Sequence, residues 1–235
     1  MNKMKLGIMQ PYFIPYIGYW QLMNAVDRYV VYDDVNYIKG GWINRNRLLI
    51  NGEPKYFNVP LVGASPNKRI NEVAVNNTRS LIDKNLRTLW NEYRKAPFFG
   101  QVYPIMERIL NNGQPTISAY ILSSFQLIAE YLRIKTELVL SSDIDKEAGL
   151  KGQDKVLQIC EIMGATEYYN AIGGQQLYSR AAFQERNIQL KFLKTNNIVY
   201  KQFSDIFYPN LSIVDVMMFN SRKDVIDMLD QYTLI

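Results

Sequence analysis

One stretch most constrains what this chain can fold into: Gly7 to Asp34, GIMQPYFIPYIGYWQLMNAVDRYVVYDD. Leu6-Gly7-Ile8-Met9 is an apolar run that reads as a short buried strand. Pro11 and Pro15 then end it, because proline cannot donate a ladder hydrogen bond. Gly18 permits a close turn, and Ile17, Trp20, Gln21, Leu22 and Ala25 suit a short helix. A second strand, Tyr29-Val30-Val31-Tyr32, ends in Asp33 and Asp34. Strand, loop, helix, strand is a βαβ unit, and ligands of open parallel sheets bind where loops leave the C-terminal strand ends. Those ends carry Gln10, Tyr12, Tyr16, Tyr19, Asp33 and Asp34.

Beyond Asp34, Leu48–Ile50 and Lys55–Val59 flank Asn51-Gly52, the favoured pair for a type I′ hairpin turn. Pro54 and Pro60 place that hairpin at a sheet edge, and Ile70–Val75 reads as a further strand. From Thr78 the apolar spacing becomes helical. Ile82, Leu86, Leu89, Trp90 and Tyr93 share a face, and two more amphipathic helices follow. Residues 78–133 therefore read as a helical insertion, expected to wall or cover one side of the first-loop pocket. The α/β alternation then resumes: strands at Thr136–Leu140, Glu167–Asn170 and Ile188–Leu193, with a helix at Gln153–Met163. Ser179, Ser212 and Ser221 each open a helix, and Asp215 reads as a capping residue three positions after Ser212. The expectation is a single α/β domain over residues 1–235 with a mostly parallel sheet.

The chain contains no histidine, which removes the usual general base and the commonest metal ligand. Its one cysteine, Cys160, allows neither a disulfide nor a cysteine-rich zinc site and reads as a packed hydrophobe. No carboxylate cluster has metal-site spacing, so a Mg²⁺ ion would have to arrive with a phosphate ligand. The formal charge of +5 suits a phosphate-bearing ligand without demanding a nucleic acid. No run approaches membrane-spanning length, and no signal peptide is legible, so a cytoplasmic protein is expected.

QPYFIPYIGYWQL, YDDVNYIKGGWINRNRL and LSIVDVMMFN together resemble the WbqC-like proteins of bacterial polysaccharide gene clusters. The likeness covers nearly the whole chain. It implies a setting in O-antigen, lipopolysaccharide or other surface-polysaccharide biosynthesis. It also implies transfer of an acyl or aminoacyl group, glycyl among them, to an activated amino sugar. A looser likeness, at the level of the βαβ start, is to nucleotidyltransferases with H-x-G-H after the first strand. Here Tyr16-Ile17-Gly18-Tyr19 stands in that place. A phenol donates only a neutral hydrogen bond where imidazolium would bring charge.

Two readings stand for each candidate residue. Tyr12, Tyr16 and Tyr19 are either rim residues with locally satisfied hydroxyls or platforms for a base or sugar. Either Asp33 or Asp34 caps the next turn, or one of them serves as base for an amine nucleophile. Lys39, Asn44, Arg45 and Arg47 either solubilise a hairpin edge or form an anion site. The family likeness favours Asn44 and Arg45 for the anion. Lys151 stands at the N-terminus of a helix, where anions are attracted. Asn170, before Gly173-Gly174, is a secondary candidate. The leading expectation is a transferase using a nucleotide-sugar or amino sugar, with the amino acid donor free, adenylated or carried on tRNA. The alternatives are a nucleotidyltransferase or acyl-adenylate former, and a non-catalytic binding protein of a polysaccharide assembly complex.

Overall fold

The structure, a computed structural model, describes residues 3–235. β1 (Lys5–Met9), α1 (Ile17–Asn24) and β2 (Arg28–Val31) follow in the expected order, and β1 pairs with β2 in parallel from Leu6 opposite Arg28. A hairpin follows, β3 (Arg45–Ile50) and β4 (Glu53–Asn58), then the short pair β5 (Leu61–Val62) and β6 (Ala74–Val75). Three helices come next: α2 (Arg79–Tyr93), α3 (Phe99–Leu110) and α4 (Ile117–Leu132). The alternation resumes with β7 (Glu137–Leu140), α5 (Gly152–Ile162), β8 (Glu167–Ala171), α6 (Arg180–Glu185) and β9 (Gln189–Thr195). The chain closes with α7 (Ile213–Phe219), α8 (Arg222–Met228) and β10 (Tyr232–Leu234).

The main sheet runs β10-β9-β8-β1-β2-β7, parallel except for the edge strand β10. The chain builds outward from β1 through β2 to β7, then restarts on the other side of β1 with β8 and β9. The order therefore reverses between β1 and β8, the place where such sheets open a crevice.

Alternation along each strand loads both faces. Leu6, Ile8, Val30, Tyr168, Leu190 and Phe192 pack with Val156, Ile159, Cys160 and Phe183 of α5 and α6. Tyr29, Val31, Tyr169 and Leu193 pack on the opposite face with α1, α4 and α7. Gly7 faces the second set, and a Cβ there would stand 3.0 Å from the Tyr29 ring. The helices of residues 78–133 pack on this face too, with the Phe125 ring 5.4 Å from those of Tyr19 and Trp20.

Two expectations change, and one strand is added. The β3–β4 hairpin has its type I′ turn, with Asn51 at φ +55 and Gly52 at φ +76. However, it forms its own two-stranded sheet and does not extend the main one. The reason is its apolar face: Leu48, Leu49 and Phe57 are buried in the core, with Phe57 stacked on Phe13. Ile70–Val75 is mostly a turn, because the Glu72 carboxylate accepts from the Arg69 amide at 2.7 Å and closes a 3-10 turn before β6. β10 was not legible as a strand; it is three residues long and pairs antiparallel to β9.

Candidate functional site

Residues 10–16 leave the C-terminal end of β1 in a form their own sequence does not hold. Ile14 is buried and β-branched yet sits at φ +39, a disfavoured region for such a residue. Neighbouring elements hold it there. Asn46 of β3 donates to the carbonyls of Phe13 (3.3 Å) and Ile14 (2.5 Å). The Ser212 hydroxyl, at the N-terminus of α7, also donates to the Ile14 carbonyl at 2.7 Å. The Ile213 amide and the Trp20 indole donate to the Pro15 carbonyl at 2.9 and 3.1 Å.

A cavity of about 600 Å³ opens beneath this loop. It lies between the ends of β1 and β8, at the reversal of strand order. Gln10, Pro11 and Tyr12 form one wall, and Asn170, Gly173 and Gly174 the facing one. Tyr32, Trp42 and Tyr178 add rings, with Tyr12 and Trp42 5.6 Å apart. Gln153 brings a further amide from the start of α5. Among the described residues, no Asp, Glu, Lys or Arg side chain lines it. Burial pushes the hydroxyl pKa values of Tyr12, Tyr32 and Tyr178 upward, so these phenols stay neutral near neutral pH. The cavity can stack a flat ring and read its edge through neutral amides and hydroxyls.

A second cavity of about 800 Å³ adjoins the first at the ends of β2 and β7. Tyr32, Val35 and Gly152 line both. Here Asp34 pairs with Lys146 and Lys155, each at 2.9 Å, and accepts from the Ser141 hydroxyl at 2.7 Å. Burial alone would raise the Asp34 carboxyl, but the bonds from Lys155, Lys146 and Ser141 outweigh it and hold the pKa below the usual value.

The remaining predicted residues fall as follows. Tyr19 lines the first cavity, and its hydroxyl donates to the Gln10 carbonyl at 2.8 Å. Tyr16 does not line it; it stands at the N-cap position of α1 without a side-chain cap bond, its ring beside Gly18 on the side toward β9. A Cβ on Gly18 would collide with the Tyr16 ring and with the Thr195 hydroxyl, so glycine lets α1 settle there. Asp33 is fully buried and accepts from the Ser118 hydroxyl (2.7 Å) and the Ser142 hydroxyl and amide (2.9 Å each). It ties α4 to the turn after β7 and reaches neither cavity. Asn44 accepts from the Tyr37 hydroxyl at 2.9 Å and donates to the Val59 carbonyl at 2.8 Å. Arg45 donates to the carbonyls of Gly40 and Gly41 and stacks on Tyr56, 4.1 Å from its centroid. The expected anion site at Asn44 and Arg45 and the expected base at Asp33 are thus corrected. The turn before β3 uses the arginine, Tyr37 and the Val59 carbonyl use the asparagine, and the core uses Asp33. Lys39 is exposed on that turn. Lys151 is exposed at the start of α5 and lines the second cavity, and Asn170 lines the first. No residue of 78–133 lines either cavity, because α2–α4 are drawn onto the α1 face of the sheet by their apolar stripes.

Sequence reasoning passed over two residues and misread a third. Asn46 was hidden between two arginines. Lys155 stands four positions before Ile159, on the apolar face of α5, and a lysine there was the available signal. Asp215, expected to cap α7, does not: Ser212 caps that helix itself, accepting from the Val214 amide, and the Ser212 amide donates to the Arg47 carbonyl. The buried Asp215 carboxylate accepts from Tyr93 (2.8 Å), Tyr200 (2.6 Å) and Gln202 (3.1 Å), pinning the long 196–212 segment to α2.

A mostly parallel sheet of reversed strand order, with helices on both faces and a ring-walled cavity at the reversal, places the chain in the doubly wound α/β class. The chain belongs to the WbqC-like protein family, whose model matches residues 10–227. It is 28% identical over 228 residues to "Uncharacterized protein Rv1507c" of Mycobacterium tuberculosis (strain ATCC 25618 / H37Rv), covering 96% of this chain and 97% of that one. No solved structure matches. Among the described residues, no helix is long and apolar enough to cross a membrane, and no three His, Cys, Asp or Glu side chains gather as metal ligands.

Proposed function

We propose that this protein is a transferase of surface-polysaccharide biosynthesis that passes an acyl or aminoacyl group, such as glycyl, to the amine of an activated amino sugar. The observation that carries the reading is the first cavity. It stands at the strand-order reversal, is walled by Tyr12, Tyr32, Trp42 and Tyr178, and offers Gln10, Gln153 and Asn170 as its polar contacts. Those groups suit a sugar or nucleoside ring.

The chemistry asked of this cavity is mild. The amine nitrogen attacks the acyl carbon of an activated donor, the carbon–oxygen bond to the leaving group breaks, and the amine proton departs with that group. Such a step gains most from holding the two reactants together, which needs no charged side chain. Asp33 is closed off as a base, and Asp34 is a poor one beside two ammoniums.

The test is titration of the protein with a UDP-amino sugar, read by the fluorescence of Trp42, followed by a radiolabelled-glycine transfer assay. The donors would be free glycine with ATP and glycyl-tRNA. Saturable quenching that disappears in Trp42→Phe, with label on the sugar, supports the reading; neither signal overturns it. The uncharged lining also favours a second reading, a non-catalytic binding protein, which predicts quenching without transfer. Release of AMP or pyrophosphate with ATP and glycine, without sugar, would point instead to an adenylate-forming enzyme.

A further inference from the structure

We propose that the second cavity takes a phosphate group of the same ligand whose ring fills the first, with Lys155 as its cation and the opening turn of α5 as its amide donors. The ring half of that statement rests on the reading above.

The two cavities share Tyr32, Val35 and Gly152 as walls, so one elongated ligand can occupy both. Lining the second cavity is a cluster with two cations to one anion. Its side chains are 8%, 11% and 9% exposed for Lys146, Lys155 and Asp34, and its net charge is +1. An unbalanced charge that deep interacts with an incoming anion more strongly than a solvated one does. The rim charges are Arg69, Lys151, Asp143, Asp145 and Glu147. These two cations and three anions sum to −1, but all are exposed and screened, so they weigh less than the buried cluster in deciding where an anion sits.

Hydrogen-bond capacity separates the two lysines. Lys146 uses its three donors on the Asp34 carboxylate and the carbonyls of Ser141 and Ile144. Lys155 meets two acceptors among the described residues, the Asp34 carboxylate (2.9 Å) and the Asp34 carbonyl (3.0 Å). An ammonium has three donors. The Lys155 nitrogen lies 4.9 Å from the centroid of Tyr32, the ring that faces both cavities.

The backbone next to it is open. Lys151 at the N-cap of α5 makes no side-chain cap, leaving the first-turn amides without that partner. Gly152 at φ +53 lines both cavities, and a Cβ there would meet nothing within 4 Å. A ligand oxygen can therefore approach this turn as closely as helix-terminal anion sites require.

Calorimetric titration of the full chain with inorganic pyrophosphate, UDP and glucosamine 1-phosphate tests the proposal. Lys155→Met keeps the aliphatic stem and leaves Asp34 paired with Lys146, so the cluster becomes neutral. The expected result is millimolar or tighter binding of all three probes to the wild type, weakened about tenfold or more in Lys155→Met. Lys151→Met should change affinity by less than about threefold, since its charge is solvated. No binding to the wild type, or equal binding to Lys155→Met, overturns the proposal. UDP tighter than pyrophosphate marks a nucleotide as the ring source; glucosamine 1-phosphate tighter marks a sugar phosphate. If neither exceeds pyrophosphate but Lys155 still matters, the ring reading fails and the phosphate site stands. Should Lys155→Met not fold, hydrogen exchange of the wild type decides. Pyrophosphate must slow amide exchange at Gly152–Lys155, and no slowing there overturns the site.

Discussion

The Ser212 hydroxyl donates to the Ile14 carbonyl at 2.7 Å across 198 residues of sequence. Asn46 donates to the same carbonyl from a strand outside the main sheet. The two bonds hold a buried isoleucine at positive φ and thereby set the loop that roofs the first cavity. Ser212→Ala should cost about 1–2 kcal/mol, and Asn46→Ala more, since it also frees the Phe13 carbonyl. Urea unfolding measures both. If the loop is held as described, either change also weakens UDP-amino sugar binding; unchanged affinity would mean the loop keeps its form without them.

Gly174 is needed for a close approach. A Cβ there would stand 2.5 Å from the Asn170 side-chain oxygen, and the Asn170 amide already donates to the Tyr168 hydroxyl at 2.5 Å. Gly174→Ala should push Asn170 out of position and weaken ring binding by about tenfold, while thermal stability falls little. Titration of the variant with a UDP-amino sugar reads this directly.

Acid sensitivity should centre on Glu167 and Asp34. Lys191 at 2.7 Å holds the Glu167 carboxyl well down, to about 2, against the opposing effect of burial; Lys3 and Tyr169 assist. Asp34 is lowered as well. A folded pKa below the unfolded value stabilises at pH above the unfolded value, and that contribution disappears as pH falls through the folded one. Melting temperature should therefore drop as pH goes from about 4.5 toward about 2, and Glu167→Gln should flatten part of that slope. A wild-type melt independent of pH in this window would contradict the assignment.

Arg45→Ala separates a hairpin role from a ligand role. Its guanidinium bonds the Gly40 and Gly41 carbonyls and stacks on Tyr56. The expected outcome is roughly 1–3 kcal/mol lost in stability with substrate KM unchanged. A raised KM at unaltered stability would restore the anion reading for Arg45.

How much was legible varies with the range of the interaction involved. Local patterns carried the βαβ start, the type I′ turn at Asn51-Gly52 and the serine caps at Ser179, Ser212 and Ser221, because these depend on residues within one turn or strand. Gln10, Tyr12 and Asn170 were also readable as cavity residues, since strand ends in a parallel sheet gather by rule. The partners of polar side chains were not. Asp33 and Asp34 are adjacent in sequence, yet one reaches Ser118 and Ser142 in the core and the other reaches Lys146 and Lys155 beside a cavity. Successive residues at a strand end point apart, and what each meets is supplied by segments 85 to 121 residues away. The same holds for Asn44 and Arg45. The sequence alone determined that a polar, basic turn follows β2; only the packing of the hairpin decided that those groups bond that turn and its neighbours instead of a ligand.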